Sequence, residues 1–367
     1  MEAPPSDILN LIIAAPVTYV TSRAAIFEAD GETPWMDDAP MLDGSVSVDF
    51  NRDERRTIEI VLDNGDGSLR HPSLFDYDKV IKVWRGFTHP AYPGTAWEAP
   101  LGTFYIDKIK SQHFPHTINV TGRDGTKRLL ADKFPTSITF TSGKSPEELI
   151  RAIAINGGVT KFNLPPSGQL TTRDHAFERG VSRWEAAVEI ANAYSYDLYF
   201  DAGGFLVMSP MQDPSTSPEA FTFQTGRNGT LMAFDRSTSD TRIYNHVVVT
   251  GTGVAPNVYA VAENNDPDSP TSVQRIGRRT YEYVSQFITT TAQCQDVANK
   301  FLAIHALEDY ELSFTSLVLP WIEAGNVIKF LDPDAGEGEP ERFLFTDFRI
   351  PLRLGAMDCG AKRVVMR

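Results

Sequence analysis

The chain has 367 residues, of which 22% are charged and 41% hydrophobic, with 22 Phe, 12 Tyr and 5 Trp. This excludes a disordered or low-complexity protein and leaves length for several domains, each with a core. Lys plus Arg number 34 against 48 for Asp plus Glu, a formal net charge of −14, which excludes a nucleic-acid binder built on phosphate neutralisation unless the basic residues cluster. They do not: Arg52-Asp53-Glu54-Arg55-Arg56 mixes signs, and the group from Arg275 to Arg279 is short.

In chain order, residues 1–44 are expected to form an N-terminal arm, extended by Pro4-Pro5, Pro16, Pro34 and Pro40. Its apolar run from Leu9 to Ala15 lacks a basic flank and is stopped by Pro16, so it serves neither as a signal peptide nor as a membrane span. Synthesis ending in a reducing cytosol is the expectation. Residues 45–135 predict a first antiparallel barrel or sandwich, with strands at Ser45 to Phe50, Thr57 to Leu62, Lys79 to Arg85, Gly102 to Ile109 and Thr117 to Gly122. The alternation in Thr57-Ile58-Glu59-Ile60 and Thr117-Ile118-Asn119-Val120 suits a sheet with one wet face.

Residues 136–215 predict a small α/β domain. Ser145-Pro146-Glu147-Glu148 and Ser182-Arg183-Trp184-Glu185 are capping boxes, and the second opens a helix with Trp184, Ala187, Val188, Ala191 and Tyr194 along one stripe. A hairpin follows, turning at Gly203-Gly204. The Pro- and Ser-rich stretch from Met211 to Pro218 is the expected linker. Residues 216–367 predict a second β-barrel interrupted by one helix, capped by Thr290-Thr291-Ala292-Gln293.

The two β regions echo each other. Val80-Ile81-Lys82-Val83-Trp84 precedes Phe104-Tyr105-Ile106-Asp107, as Val327-Ile328-Lys329-Phe330-Leu331 precedes Leu344-Phe345-Thr346-Asp347. Each copy ends in a strand holding a glycine, Gly122 in the first and Gly360 in the second. Either a duplication or the common appearance of Val- and Ile-rich antiparallel sheets accounts for this.

Motifs with chemistry fail one by one. Gly143-Lys144-Ser145 lacks the upstream Gly of a phosphate loop, since Ile138 stands there. Gly251-Thr252-Gly253 has Pro256 where a dinucleotide fingerprint has its third Gly. His113 and His116 lack a carboxylate motif, and His305 with Glu308 and Asp309 suits a solvated helix end. Asp63-Asn64-Gly65-Asp66-Gly67-Ser68 superficially resembles a calcium loop but has Gly65 at a ligand position. Acidic clusters at Glu263 to Asp268 and Asp332 to Glu341 offer clustered oxygens for a hard cation or, equally, are ordinary acidic hairpin tips. Glu185 and Glu189 lie one helical turn apart, on a face expected to be exposed. Cys294 and Cys359 give no disulfide framework or zinc spacing. Two Asn-x-Ser/Thr patterns, at Asn119 and Asn228, are chance matches without secretion. No catalytic, cofactor-binding or metal residue is therefore assigned.

The order of several short motifs resembles the hub proteins of bacteriophage tail tips and baseplates, which are related to the base of the type VI secretion spike. They are Asp63-Asn64-Gly65-Asp66-Gly67, Gly102-Thr103-Phe104-Tyr105-Ile106-Asp107, Val120-Thr121-Gly122-Arg123-Asp124, Trp184-Glu185-Ala186-Ala187 through Gly204-Phe205-Leu206-Val207, Tyr244 to Gly251, and Leu319-Pro320-Trp321-Ile322-Glu323-Ala324-Gly325-Asn326-Val327. The resemblance implies a mainly β fold with an α/β insert: two tail-tube-like antiparallel β-barrels plus a small helix-hairpin domain. It implies a homotrimeric ring of six barrels that joins a sixfold tube to a threefold spike or fibre and lines the DNA exit channel. The implied partners are the tail tube or distal tail protein, a spike or central fibre protein and the tape-measure protein. DNA would pass without specific binding, and no cofactor or membrane anchor is implied. The implied location is the virion tail, assembled in the host cytoplasm. No enzyme is expected, since the chain stops just past the second module. Another β-rich virion part, such as a distal tail ring or a carbohydrate-binding tip, is the competing reading.

Overall fold

The computed structural model describes residues 19–71, 75–89, 92–226, 229–238, 243–307, 310–332 and 340–364. The first stretch of chain forms β1 (Tyr19–Phe27), β2 (Pro34–Met36), β3 (Met41–Asp49), β4 (Arg56–Asp63), β5 (Val80–His89), β6 (Tyr92–His113) and β7 (His116–Arg123). Next come α1 (Thr126–Ala131), β8 (Ile138–Phe140), α2 (Pro146–Asn156), β9 (Phe162–Asn163), β10 (His175–Phe177), α3 (Arg183–Ala193), β11 (Tyr196–Phe200) and β12 (Leu206–Pro210). The remainder holds β13 (Glu219–Gln224), β14 (Leu231–Thr238), β15 (His246–Gly251), β16 (Val258–Glu263), α4 (Val273–Ile276), β17 (Thr280–Ser285), α5 (Thr291–His305), β18 (Tyr310–Ser316), β19 (Val327–Leu331), β20 (Glu341–Pro351) and β21 (Met357–Arg363).

Thirteen strands make one sheet, in the order β14-β18-β21-β20-β3-β4-β7-β6-β5-β1-β2, with β19 on β20 and β13 on β19. The sheet contains the same five-strand unit twice. β3, β4, β7, β6 and β5 lie side by side and antiparallel, as do β14, β18, β21, β20 and β19, so each unit uses its strands in the same chain order. The irregularities also repeat. A bulge between Met41 and Asp43 faces β4 where one between Leu231 and Ala233 faces β18. A second bulge, between Ile106 and Lys108, faces Gly122 and Thr121, as the bulge between Phe345 and Asp347 faces Ala361 and Gly360. Bulges at matching positions in both units are shared construction, since each adds one residue and re-aims the strand beyond it. The units differ at their sixth strand: β1 runs antiparallel to β5, while β13 runs parallel to β19.

Three expectations are corrected. First, the described strands do not form two closed barrels: β20 pairs with β19 through Glu341 to Phe330 and neighbouring residues, and farther along the strand with β3, from Asp347 opposite Asp49 to Pro351 opposite Ser45. The two units therefore share one sheet and one core. Second, the second β region is not a single body. Residues 247–306 pack with residues 129–211 in a separate core: β15 and β16 lie on α5, and α5 and β17 meet α3 instead of the large sheet. Third, the segment assigned to an arm contains β1, paired with β5 from Tyr19 opposite Thr88 to Phe27 opposite Val80. Pro4, Pro5, Pro16 and the run from Leu9 to Ala15 lie outside the described residues.

The helix starts follow their local chemistry. Ser145, Ser182 and Thr290 each accept the amide of the residue three along, at 3.3, 3.1 and 3.2 Å, while Glu148, Glu185 and Gln293 accept the capping residues' own amides. Trp184, Ala186, Ala187, Ile190 and Ala191 of α3 are buried in the smaller core. β11 and β12 form an antiparallel pair, and β12 runs parallel to β9. Gly204, at φ +80°, supplies the left-handed turn between β11 and β12.

That smaller core holds a titratable ring. His175 is 2% exposed and stacks on Phe287 at 4.0 Å, and its Nε2 has no partner among the described groups. Burial, helped by Arg173 and opposed by Asp174, lowers its pKa from 6.5 to about 4. A folded-state value below the unfolded one means stability is fully present above pH 6.5 and is lost as pH falls towards 4, by roughly 3 kcal/mol at ~1.4 kcal/mol per unit. Urea unfolding followed by Trp fluorescence at pH 7 and pH 4 should show this loss in the wild type, and His175→Phe should remove that part of the difference.

Candidate functional site

Alternation gives the large sheet two chemically different faces. In the first unit Val46, Val48, Ile58, Ile60, Leu62, Ile118 and Val120 enter the core, so Ser47, Asp49, Thr57, Glu59, Asn119, Thr121, Lys108 and Lys110 point to the opposite face. In the second unit Leu312, Phe314, Phe348, Ile350, Met357, Cys359 and Ala361 point inward, leaving Asp235, Glu311, Ser313, Thr315, Asp347, Arg349, Asp358 and Lys362 opposite.

Pairing of β20 with β3 makes these two polar faces continuous. Asp347 stands opposite Asp49, and Arg349 stands opposite Ser47 on one side and Asp358 on the other. Arg349 Nε donates to Ser45 Oγ at 3.0 Å and its guanidinium lies 4.0 Å from Glu59, while Arg52 pairs with Asp49 at 2.9 Å. A concavity of about 530 Å³ follows this seam, with Ser47, Asp49, Asp347, Arg349 and Asp358 in its walls.

At one end of the seam a network of ion pairs fixes the sheet to the smaller core. Arg55, almost buried, donates to both carboxylate oxygens of Asp197 at 2.7 and 2.8 Å and lies over the rings of Phe50 and Tyr199. Arg56 donates to the Leu101 carbonyl at 2.9 Å and to the Glu323 carboxylate. Arg123 bridges Asp107 and Glu54, and Lys127 reaches Asp107 at 2.9 Å. Burial raises the pKa of Asp107, but hydrogen bonds from Arg123 and Lys127 outweigh it and hold the group below its ordinary value. Asp124 is fully buried and accepts the amides of Arg56 and Thr126 at 2.9 and 3.0 Å; burial raises its pKa to about 6 against those hydrogen bonds. Beside Glu323, Gly325 sits at φ +93°, where a Cβ would lie 2.9 Å from the Phe50 ring. Within the mixed-sign run from Arg52 to Arg56, Arg55 thus joins the sheet to the smaller core and Arg56 joins the first β unit to the second, roles visible in sequence only as alternating charge.

The other candidate motifs are consumed by local structure. Asp63, Asn64 and Asp66 accept the amides of Gly65, Leu69 and Ser68, forming a closed turn. Asn264 donates to Ser269 and Thr271 in a buried polar network. Glu185 serves the α3 cap. Glu189 is not exposed as expected: it accepts Ser285 Oγ at 3.0 Å and the Gln286 amide at 3.3 Å, and burial raises its pKa. His113 and His116 meet edge to face at 6.2 Å. His305 packs against Tyr281, and burial, with Lys362, lowers its pKa to about 4; Glu308 and Asp309 lie outside the described residues. So does most of the acidic stretch after Asp332. Cys294 and Cys359 are free and buried in different cores, with thiol pKa values pushed up by burial. Among the described residues no group of His, Cys, Asp and Glu could hold a metal ion, and no helix is long and apolar enough to cross a membrane.

What the geometry defines is a scaffold: a duplicated sheet with a continuous polar face, braced by an α/β unit. The same fold occurs in solved phage tail proteins. The tail protein from Neisseria meningitidis MC58 matches with a TM-score of 0.66 at 16% identity, covering 94% of this chain and 97% of that one. The 43 kDa tail protein of prophage MuSo2 from Shewanella oneidensis matches at 0.60 and 12%, covering 93% and 98%. A chain in the Francisella PdpA-VgrG complex matches at 0.54 and 10%, covering 95% of this chain and 58% of that one. No family model and no curated protein sequence matches.

Arg56 and Glu323 are 3% and 17% exposed, and removing one partner of such a pair leaves the other charge unpaired. Arg56→Ala should therefore lower the free energy of unfolding by roughly 3 kcal/mol in urea titrations. Arg52→Ala, at a side chain 69% exposed, should change it by less than about 0.5 kcal/mol.

Proposed function

We propose that this chain is a structural hub of a phage-type tail tip or baseplate, three copies of which form a ring of six repeated units joining a sixfold tube to a threefold spike or fibre. The carrying observation is the edge-to-edge joining of two like units within one chain. β3 of the first unit pairs with β20 of the second, a head-to-tail contact; repeated between copies, such a contact closes into a ring when its rotation permits. Three duplicated chains give sixfold repetition on one side and threefold symmetry on the other. The likeness to tail proteins over nearly the full length of both chains supports this assignment of class.

In this reading the polar face lines the channel and the α/β units brace the ring. Along the seam, the acidic groups lining the concavity (Asp49, Glu54, Asp235, Asp347, Asp358) outnumber the basic ones (Arg52, Arg55, Arg349). Such a surface repels phosphate, so DNA passes without being retained. The partners are a tube or distal tail protein above, a spike or fibre below and a tape-measure protein within. The function is packing and passage, without a chemical step.

Cryo-electron microscopy of the purified chain at micromolar concentration should show threefold rings with six similar lobes and the Asp49–Asp347 seam towards the lumen. Rings of another copy number, or a lumen lined by Lys and Arg, would contradict the proposal.

A further inference from the structure

The repeated registers identify which strands meet between copies. By the pairings within each unit, β14 occupies the place of β3: Ser237 faces Glu311 as Ser47 faces Thr57, and Asp235 faces Ser313 as Ser45 faces Glu59. Likewise β6 occupies the place of β20: just past the bulge Lys108 faces Thr121 as Asp347 faces Gly360, and Lys110 faces Asn119 as Arg349 faces Asp358, so Ser111 holds the place of Ile350. Within the chain, β3 covers the outer edge of β20. Its counterparts are uncovered: among the described residues β14 pairs only with β18, and the stretch of β6 beyond Asp107 pairs only with β7. Lys110, Ser111, Gln112, Asp235 and Ser237 are exposed. Two open edges of matching shape invite strand addition.

We infer that β14 of one copy pairs antiparallel with the 109–112 edge of β6 in the next, with Ser237 opposite Lys110 and Arg236 opposite Ser111. The register comes from the observed pairs Ser47 opposite Arg349 and Val46 opposite Ile350. Inside the chain Arg349 reaches diagonally to Ser45 at 3.0 Å. Transferred to the counterparts, this contact brings Lys110 to Asp235, so a hydrogen bond from a cation to a neutral hydroxyl within the chain becomes an ion pair between chains. The partner is a second copy of this chain, selected by complementary charge. The seam is continuous with the polar face, and the closure of three such seams rests on the hub reading.

Charge exchange in the full-length chain tests the seam, with the assembly state read by mass photometry and sedimentation velocity. Lys110→Glu and Asp235→Lys should each raise the concentration at which trimers dissociate at least tenfold, and the double exchange should restore most of the loss. Melting temperature checks that each variant folds. Glu59→Lys, on the same face but away from both edges, should leave assembly unchanged. As a measurement independent of charge, Ser237→Cys chains mixed with Lys110→Cys chains should form an oxidant-dependent cross-linked dimer. Trimers indifferent to both single exchanges, with no cross-link, overturn the seam and leave the hub reading standing. A wild-type chain that stays monomeric at about 100 µM, far above the range of a stable interface, overturns both.

Discussion

Pairing of β3 with the outer half of β20 is the constraint on which the rest of the structure depends. Each five-strand unit has edges whose amides and carbonyls need partners, and here one unit supplies the strand that the other lacks. The consequence is one sheet and one large core shared by both units, in which Val46, Val48, Phe348 and Ile350 meet across the join. It also aligns the polar sides of two sheets, giving a concave surface wider than either unit could offer.

The second constraint is electrostatic. Arg55, Arg56 and Arg123 lie at the ends of β4 and β7, and their carboxylate partners are Asp197 of the α/β unit, Glu323 of the second β unit and Glu54 of the same β unit. Ion pairs of this kind stabilise modestly but are costly to break from one side. Two of the pairs in this network, Arg55–Asp197 and Lys127–Asp107, cross from the sheet to the α/β unit and make the angle between sheet and brace specific, while Arg56–Glu323 ties the first β unit to the second.

The legible parts of the fold were those written in local sequence. Ser145, Ser182 and Thr290 announced three helices because a capping box needs only four residues. β4 and β7 were legible from alternation. β14 was missed because its bulge puts Met232 and Ala233 side by side and breaks the period of two, and because Asp235 and Ser237 leave little apolar pattern. The echo between the β regions was visible but one residue out of register: Asp107 is the bulged residue of β6, matched by Thr346, while Asp347 corresponds to Lys108. The assignment of residues 247–306 to a barrel failed for a nonlocal reason, since an inward Val247 or Val249 does not declare which core it enters. The polar face was in the sequence only as the wet phase of alternating strands, which looks the same whether it faces solvent, a channel or a partner.

Hydrogen exchange on isolated and assembled protein tests the central claim most directly, namely that the pairing which joins the two units inside the chain is repeated between chains. Amides of the β3–β20 join should exchange slowly in both states, while the outward-pointing amides of β14 and of Ile109 to Gln112, those not bonded to β18 or β7, should exchange rapidly in the monomer and become protected on assembly. Equal exchange at β14 and β6 in both states, with new protection elsewhere on the surface, would contradict it.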